Sequence, residues 1–343
     1  MIFKIYHNRP SISQLELDSV YKVISSKNLS QAKEVKEFEE EFSSYLGLPK
    51  NSAVAISNGT AALYMALWTL KAKGKNIIFP SYTCSSLRHA TSMIGGKEKL
   101  CDVVEGTPNM SPGLGQKGDI VILTHMYGLP IRFSKKPGVL YIEDACQSLG
   151  AKIDGIHTGL QGDIGIFSFY ATKIITSAGQ GGMLVSRDQS IIEAVRDYLD
   201  FDCRNDNKSR FNFQMTDVQA AMGRVQLKRL SEFVEKRKKI FQFYKKLGLS
   251  LLQTSKNDLK LESVPYRCIL INKNPNLLIK KLKDSGVQAI NPLETWELLG
   301  NSNQFLSSIK MSQRTVSLPC YPLLNDKNLE EIEIALNGIK KLL

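Results

Sequence analysis

Lys173 is the sole charged residue between Asp163 and Arg187, in a segment reading Ile-Gly-Ile-Phe-Ser-Phe-Tyr-Ala-Thr-Lys-Ile-Ile-Thr-Ser-Ala-Gly-Gln-Gly-Gly-Met-Leu-Val-Ser. In a chain with 45 Lys plus Arg, an ammonium set alone among apolar and small residues stands out. Burial penalises a charge, so this lysine is expected to give up its proton more easily than a surface lysine. A neutral amine is a nucleophile suited to Schiff-base formation with a carbonyl. The plainer reading is a lysine that lays its stem on apolar surface and keeps its ammonium in water. Taken alone, the plainer reading carries more weight, because surface lysines far outnumber reactive ones.

Further short motifs add chemistry to it. Ser57-Asn58-Gly59-Thr60 reads as a strand-to-helix turn. Gly59 permits close backbone approach, and the helix starting there offers unpaired N–H groups and a positive dipole end, suited to a phosphate; a plain helix cap is the alternative. Glu143 and Asp144 are adjacent acids at a strand end. Their side chains point to opposite sides, so at most one faces a given ligand, where it could keep a pyridinium nitrogen protonated. Gln147 is three residues on and can share that site; exposure to solvent or helix capping are the alternatives. Ser168 precedes Lys173 and offers a hydroxyl to a phosphate. Gly179-Gln180-Gly181-Gly182 lets the backbone pass close to a ligand or to Lys173, or else makes a tight hairpin. A phosphate cradle, a carboxylate for a ring nitrogen and a desolvated lysine are what pyridoxal 5′-phosphate requires. No Gly-x-x-x-x-Gly-Lys-Ser/Thr loop or Gly-x-Gly-x-x-Gly turn competes for a nucleotide.

These residues need a scaffold that brings strand ends together. Strands are expected at Ala53–Ser57, Asn76–Phe79, Ile120–Thr124, Val139–Glu143, Ile164–Phe169 and Gly182–Ser186, with helices at Thr60–Leu70 and Ser85–Met93. Continuous apolar strands alternating with helices indicate an α/β domain, its mostly parallel sheet covered on both faces. Ligands of such sheets bind at the carboxyl ends of the strands. A polar loop spans 202–210. Thr216–Lys246 reads as one long helix or a broken pair, capped by Thr216 or Asp217. Beyond it a smaller α+β region carries strands at Tyr266–Ile271 and Thr315–Leu318.

Composition excludes other classes. The 343 residues exceed one simple core. No apolar run reaches membrane-span length, and the first ten residues lack a signal-peptide layout. Six scattered cysteines contain no Cys-x-x-Cys pair, and four separated histidines show no metal spacing, so reduced cytosolic thiols and no metal are expected. The net charge of +12 is concentrated in a helical stretch around Lys228–Lys246 with interleaved acids, read as a solvated face and not a nucleic-acid reader. It favours a phosphorylated or nucleotide-linked substrate.

The ordered set Ser57–Leu63, Pro80–Thr83, Glu143–Ala151, Gly162–Lys173 and Gly181–Met183 resembles the DegT/DnrJ/EryC1/StrS family of sugar aminotransferases. Asn212, Gln219-Ala220-Ala221, Gln226-Leu227 and Ser317-Leu318-Pro319 continue the likeness. The resemblance implies a fold type I pyridoxal-phosphate transferase, with a large three-layer α/β/α domain over residues 1–235 and a small α+β domain over 236–343. It implies a homodimer with a shared active site, and the reduced thiols point to a cytoplasmic location. Lys173 falls on the cofactor-binding lysine, Asp144 on the partner of the pyridine nitrogen and Gln147 on the residue beside the ring. Ser57, Gly59, Thr60 and Ser168 fall in the phosphate-binding motifs, and Asn212 on a phosphate contact donated across the dimer. Three positions depart from the pattern: Cys84 stands where an aromatic residue often stacks on the ring, Gln180 replaces a glutamate, and Gln214 replaces an arginine. The implied reaction moves an amino group from L-glutamate to a nucleotide-linked keto-sugar. A sugar dehydratase or lyase, and a cofactor-binding regulator without turnover, are the alternatives; Lys173 argues against the dehydratases that lack this lysine.

Overall fold

Apolar strands without alternation must be covered on both sides, and the fold supplies a cover for each face. The computed structural model describes residues 3–254, 258–300 and 303–343. Helices α1 (Gln14–Ser26) and α2 (Lys33–Tyr45) lead into β1 (Ala53–Ile56) and α3 (Gly59–Thr69). Then follow β2 (Asn76–Pro80), α4 (Ser86–Met93), β3 (Lys97–Cys101), β4 (Ile120–Thr124) and β5 (Leu140–Asp144). Two short strands, β6 (Lys152–Ile153) and β7 (Ile156–His157), precede β8 (Ile164–Ser168), β9 (Gly182–Val185) and α5 (Gln189–Leu199). Of the two readings of Thr216–Lys246, the broken pair is the one found, as α6 (Asp217–Lys228) and α7 (Leu230–Lys246). The remaining elements are β10 (Leu261–Glu262), β11 (Cys268–Ile271), α8 (Pro275–Asp284), α9 (Leu306–Arg314), β12 (Thr315–Leu318) and α10 (Asp326–Asn337).

Seven strands form one sheet in the order β1-β9-β8-β5-β4-β2-β3. Only β9 runs against the others, pairing antiparallel with both β1 and β8. Alternate residues of the strands enter opposite cores. Val54, Ile56, Ile164, Ile166 and Leu184 pack with the helix residues Leu63, Leu67, Ile192 and Val195. Ala53, Ala55, Phe167, Met183 and Val185 pack with Phe38, Phe42, Ala220 and Leu227 on the other face. The result is the expected three-layer α/β/α arrangement with a mostly parallel sheet. Helix α3 is apolar nearly all round and is buried from Ala61 to Leu67, as a helix wedged under a sheet must be. Phe42 meets Phe167 and Phe169 at ring-centroid distances of 5.0 and 5.6 Å; truncating such a ring costs about 3–5 kcal/mol.

At the break between α6 and α7, the Arg229 guanidinium bonds Glu16 Oε1 (2.8 Å) and Ser13 Oγ (3.0 Å) at the start of α1. Thr216 caps α6 through a reciprocal box with Gln219. Asp217 faces away and accepts N–H bonds from Ala32 (2.9 Å) and Val35 (3.1 Å), capping α2, which lacks a side-chain cap of its own. Helix α7 spans two cores: Leu230, Phe233 and Val234 join the sheet's, whereas Ile240 and Tyr244 join a second one. That second core is built around the β11–β12 pair with Leu278, Leu282, Ile332 and Leu336. The N-terminal arm also enters it, through Ile5, which bridges to Val287.

Candidate active site

The sequence pattern puts polar residues just past β1, β5 and β8, and the sheet brings those ends side by side. Asn58 Oδ1 caps α3 by accepting the Ala61 N–H at 2.9 Å. The Gly59 and Thr60 N–H groups open the helix and by position have no intrahelical acceptor, leaving them to an anion. Gly59 is required by space: a β-carbon there would stand 2.9 Å from Ser168 Cβ and 3.2 Å from its Oγ. Gly182 is required for the same reason, since its β-carbon would stand 2.5 Å from Asn58 O. Ser168 lies opposite Gly182, and Gly182 opposite Ile56, so this register sets the serine beside the helix start.

The adjacent acids at the end of β5 divide as strand geometry demands. Glu143 is fully buried and accepts N–H bonds from Gly159 (3.0 Å), Gln161 (2.6 Å) and Gly162 (2.6 Å). It also meets His125 Nε2 at 2.9 Å. His125 Nδ1 accepts the Ile131 N–H at 3.0 Å, so Nε2 is the nitrogen that donates to Glu143. Burial works to raise the Glu143 pKa, but His125 and the backbone donors outweigh it and hold the carboxyl below its ordinary value. Glu143 therefore fixes the 159–162 loop, and Asp144 is the acid that faces the cavity. Asp144 Oδ1 accepts the Cys146 N–H at 3.0 Å, and its strand neighbours are Thr124 and Ile166.

Lys173 is held from both sides along the chain. Its N–H donates to Tyr170 O at 2.9 Å, and Asn8 Nδ2 of the arm donates to the preceding carbonyl of Thr172 at 3.0 Å. Ile174 and Ile175 anchor the segment in the core. Its Nζ stands 5.5 Å from the centroid of Tyr266, a residue contributed from just before β11. The expectation of an easily lost proton is corrected here. Burial does push the Lys173 pKa down, but attraction to Tyr266, Cys146, Asp144 and Cys84 outweighs it and raises the value above that of an ordinary lysine. Sequence reasoning counted the desolvation and could not see the acidic groups that the fold gathers around the amine. Tyr266 responds in the opposite sense: burial raises it, and the cations Lys173 and Arg267 bring it below the usual phenol value.

Of the residues singled out from sequence, Gly59, Thr60, Cys84, Asp144, Gln147, Ser168 and Lys173 line one cavity of about 440 Å³. Ser57 does not line it: its N–H donates to Phe213 O at 2.8 Å, and its Oγ accepts from Asn58 Nδ2 at 3.3 Å. Asn212 is exposed, its Oδ1 accepting the Gln214 N–H at 3.1 Å, and it lies outside the cavity within this chain. Gln147 Oε1 is fixed by the Tyr127 N–H at 2.9 Å. Cys84 sits exposed on the rim, and Tyr82 cannot stand in for a stacking ring, because it is fully buried with its hydroxyl 2.7 Å from that of Tyr127. Gln214 is committed elsewhere, donating to Leu199 O at 2.9 Å.

Sequence reasoning missed Thr124, Cys146 and Tyr170, which line the same cavity. Thr124 Oγ1 is buried without a partner; its place beside Asp144 follows from the β4–β5 register, which no local motif encodes. Burial, and then the neighbouring Asp144, push the Cys146 thiol pKa well up. A second cavity of about 630 Å³ adjoins the first and shares Thr83, Cys84, Met126, Gln147, Tyr170 and Lys173 with it. Its outer wall adds Arg88, His89, Tyr266, Arg267 and Trp296.

This donor set fits pyridoxal phosphate. Gly59, Thr60 and Ser168 supply N–H and hydroxyl donors at a helix start, Asp144 a carboxylate, and Lys173 a primary amine, all on one cavity wall. Comparison with known proteins agrees. The profile of the DegT/DnrJ/EryC1/StrS aminotransferase family matches residues 10–337. GDP-perosamine synthase of Escherichia coli O157:H7 is 29% identical over 269 residues, 72% of each chain. The dTDP-4-dehydro-2,3,6-trideoxy-D-glucose 4-aminotransferase of Saccharopolyspora spinosa is 24% identical over 362 residues, 95% of this chain and 94% of that one. In fold, the aminotransferase TlmJ from Streptoalloteichus hindustanus superposes with a TM-score of 0.87 at 24% identity, covering 98% of this chain and 100% of that one. With the family profile spanning nearly its whole length, the chain belongs to the DegT/DnrJ/EryC1/StrS aminotransferases, enzymes that work with pyridoxal 5′-phosphate.

Proposed function

We propose that this aminotransferase moves the amino group of L-glutamate to the carbonyl of a keto-sugar carried on a nucleotide. The observation that carries the reading is the placing of Lys173 on the shared wall of two adjoining cavities, with Asp144 and the Gly59–Thr60 helix start on the inner one. The inner cavity suits the cofactor, and the outer one is free for substrates. The relatives named above act on GDP- and dTDP-linked sugars by their names, and the basic chain suits such anions.

When bound, the cofactor supplies an electron sink for the bonds at the reacting carbon. Asp144 would hold a proton on the pyridine nitrogen, Gly59, Thr60 and Ser168 would hold the phosphate, and Gln147 would serve the ring from the same cavity. Lys173 would hold the cofactor through its amine, and once that amine is free it would take the proton from the donor's α-carbon as base and return it as acid on the far side of the shared nitrogen. Tyr266 stands beside that amine.

The exposed Asn212 fits a homodimer in which Asn212 of the partner subunit reaches the phosphate site. Residues 1–235 and 236–343 are proposed as its large and small domains. A cytoplasmic location is supported by six free cysteines and by the lack, among the described residues, of any helix long and apolar enough to cross a membrane. Mass spectrometry after incubation with nitrogen-labelled L-glutamate and nucleotide-linked keto-sugars tests the activity. Label in the sugar supports the transfer; a dehydrated sugar without label, or no product from any keto-sugar, contradicts it.

A further inference from the structure

Resting on that reading, the structure assigns Arg267 as the receptor for the carboxylate of the amino donor. Arg267 lies just before β11 and lines the cavity that holds Lys173. Its guanidinium carbon stands 5.4 Å from the Tyr266 ring centroid, the same ring that Lys173 Nζ approaches at 5.5 Å. The reactive amine and the guanidinium thus flank one side chain.

Among the described residues this cation has no ion-pair partner. Nη1 meets His7 Nε2 at 3.2 Å and Ser317 Oγ at 3.4 Å, both neutral partners; burial and the adjacent arginines lower the His7 pKa to about 3, so it carries no charge near neutrality. Among the described residues no Asp or Glu pairs with Arg267, and its Nε and Nη2 have no partner. That Nε–Nη2 edge is the one that grips a carboxylate in two parallel bonds. Arg88, on the same cavity, shows the satisfied case: its Nε and Nη2 bind Glu98 at 2.8 and 2.7 Å. Glu297 also lines the cavity, but its Oε2 is taken by the Glu294 N–H at 2.8 Å. Arg267 therefore has its fork held in place by neutral groups and its binding edge unspent.

Position selects the carboxylate over a phosphate. In an α-amino acid the carboxylate is attached to the carbon that bears the amine, so it must bind beside Lys173. The diphosphate of a nucleotide-linked sugar is separated from a ring ketone by the sugar itself and must bind farther from Lys173 than a donor carboxylate does.

The test uses the cofactor-loaded enzyme and its absorbance changes in the separate half-reactions. L-glutamate is titrated into the pyridoxal form; 2-oxoglutarate and a nucleotide-linked keto-sugar are titrated into the aminated form. Arg267→Gln should raise the apparent Kd for L-glutamate and 2-oxoglutarate by about 10- to 100-fold, while the keto-sugar stays within about twofold. Arg267→Lys, which keeps the charge and loses the fork, should fall between. In the wild-type protein, glutarate should slow phenylglyoxal labelling of Arg267, read by peptide mass, a measurement that needs no variant. Unchanged donor affinity, labelling that glutarate does not slow, or a loss confined to the keto-sugar overturns the assignment. A wild-type enzyme that responds to no amino acid defeats the aminotransferase reading itself, and this assignment with it; one that responds while Arg267→Gln responds equally defeats the assignment alone.

Discussion

Lys173 Nζ and the ring of Tyr266 lie 5.5 Å apart, although 93 positions separate them in the chain. The pair couples two titrations. Burial lowers the lysine, but Tyr266 is foremost among the groups that raise it, so the cofactor-free amine stays protonated to higher pH than an ordinary one. Only the neutral amine attacks an aldehyde. In Tyr266→Phe the attraction is gone and burial remains, so the pH profile for capture of pyridoxal phosphate by the cofactor-free protein should move to lower pH. Stopped-flow absorbance checks this, and a profile that stays put or moves upward contradicts the coupling.

Gly59→Ala should weaken cofactor binding. The added carbon would sit 2.9 Å from Ser168 Cβ, and the overlap forces either the serine or the helix start to move. Overpacking of this kind costs about 1–3 kcal/mol, which corresponds to a cofactor Kd raised by about 5- to 150-fold. Fluorescence titration of the cofactor-free protein with pyridoxal phosphate reads it; unchanged affinity would mean that the cradle lies elsewhere.

Glu143→Gln should destabilise the fold and leave the site's chemical groups in place. Three backbone N–H groups and His125 converge on this carboxylate. A glutamine turns one acceptor oxygen into a donor that faces donors. Disrupting a buried charged network typically costs about 3–5 kcal/mol, to be read as a lowered urea midpoint. Wild-type stability in this variant would show that the 159–162 loop is held by other contacts.

Acid should loosen the N-terminal arm. Burial, then Arg267 and Arg237, lower the His7 pKa from 6.5 to about 3. Between these values the unfolded chain binds a proton that the folded chain refuses, so stability is full above the unfolded pKa and falls as pH drops through the window. After allowance for screening at a partly accessible ring, the loss by pH 4 is about 1–2 kcal/mol. Denaturation of wild type and His7→Gln at pH 7 and pH 4 should show a smaller pH dependence in the variant; equal dependence would assign the acid sensitivity to other groups, such as His157, whose pKa burial lowers to about 4.

Much of the site was legible because its motifs are local and strand ends collect ligands. Gly59 and Lys173 follow recognisable strands and Asp144 and Ser168 end them, and an α/β sheet brings such ends together. Adjacent acids had to diverge, which left one of Glu143 and Asp144 for the cavity, though the choice needed the buried His125 to decide it. Tyr266 and Arg267 were illegible as site residues, because the two-residue signal carries no periodicity and its meaning arises from docking β11 against the segment around Lys173. The same long-range assembly reversed the expected shift of Lys173. At the division of Thr216–Lys246, Arg229 likewise meets a partner, Glu16, more than 200 residues away.

One measurement bears on the account most directly. The purified protein is loaded with pyridoxal phosphate, reduced with borohydride, digested and mapped by mass spectrometry. The account predicts the phosphopyridoxyl group on the peptide that contains Lys173, at that side chain, and no visible cofactor band or turnover in Lys173→Ala. A Lys173 peptide that stays unmodified while the protein is fully loaded, or a Lys173→Ala variant with undiminished turnover, contradicts it.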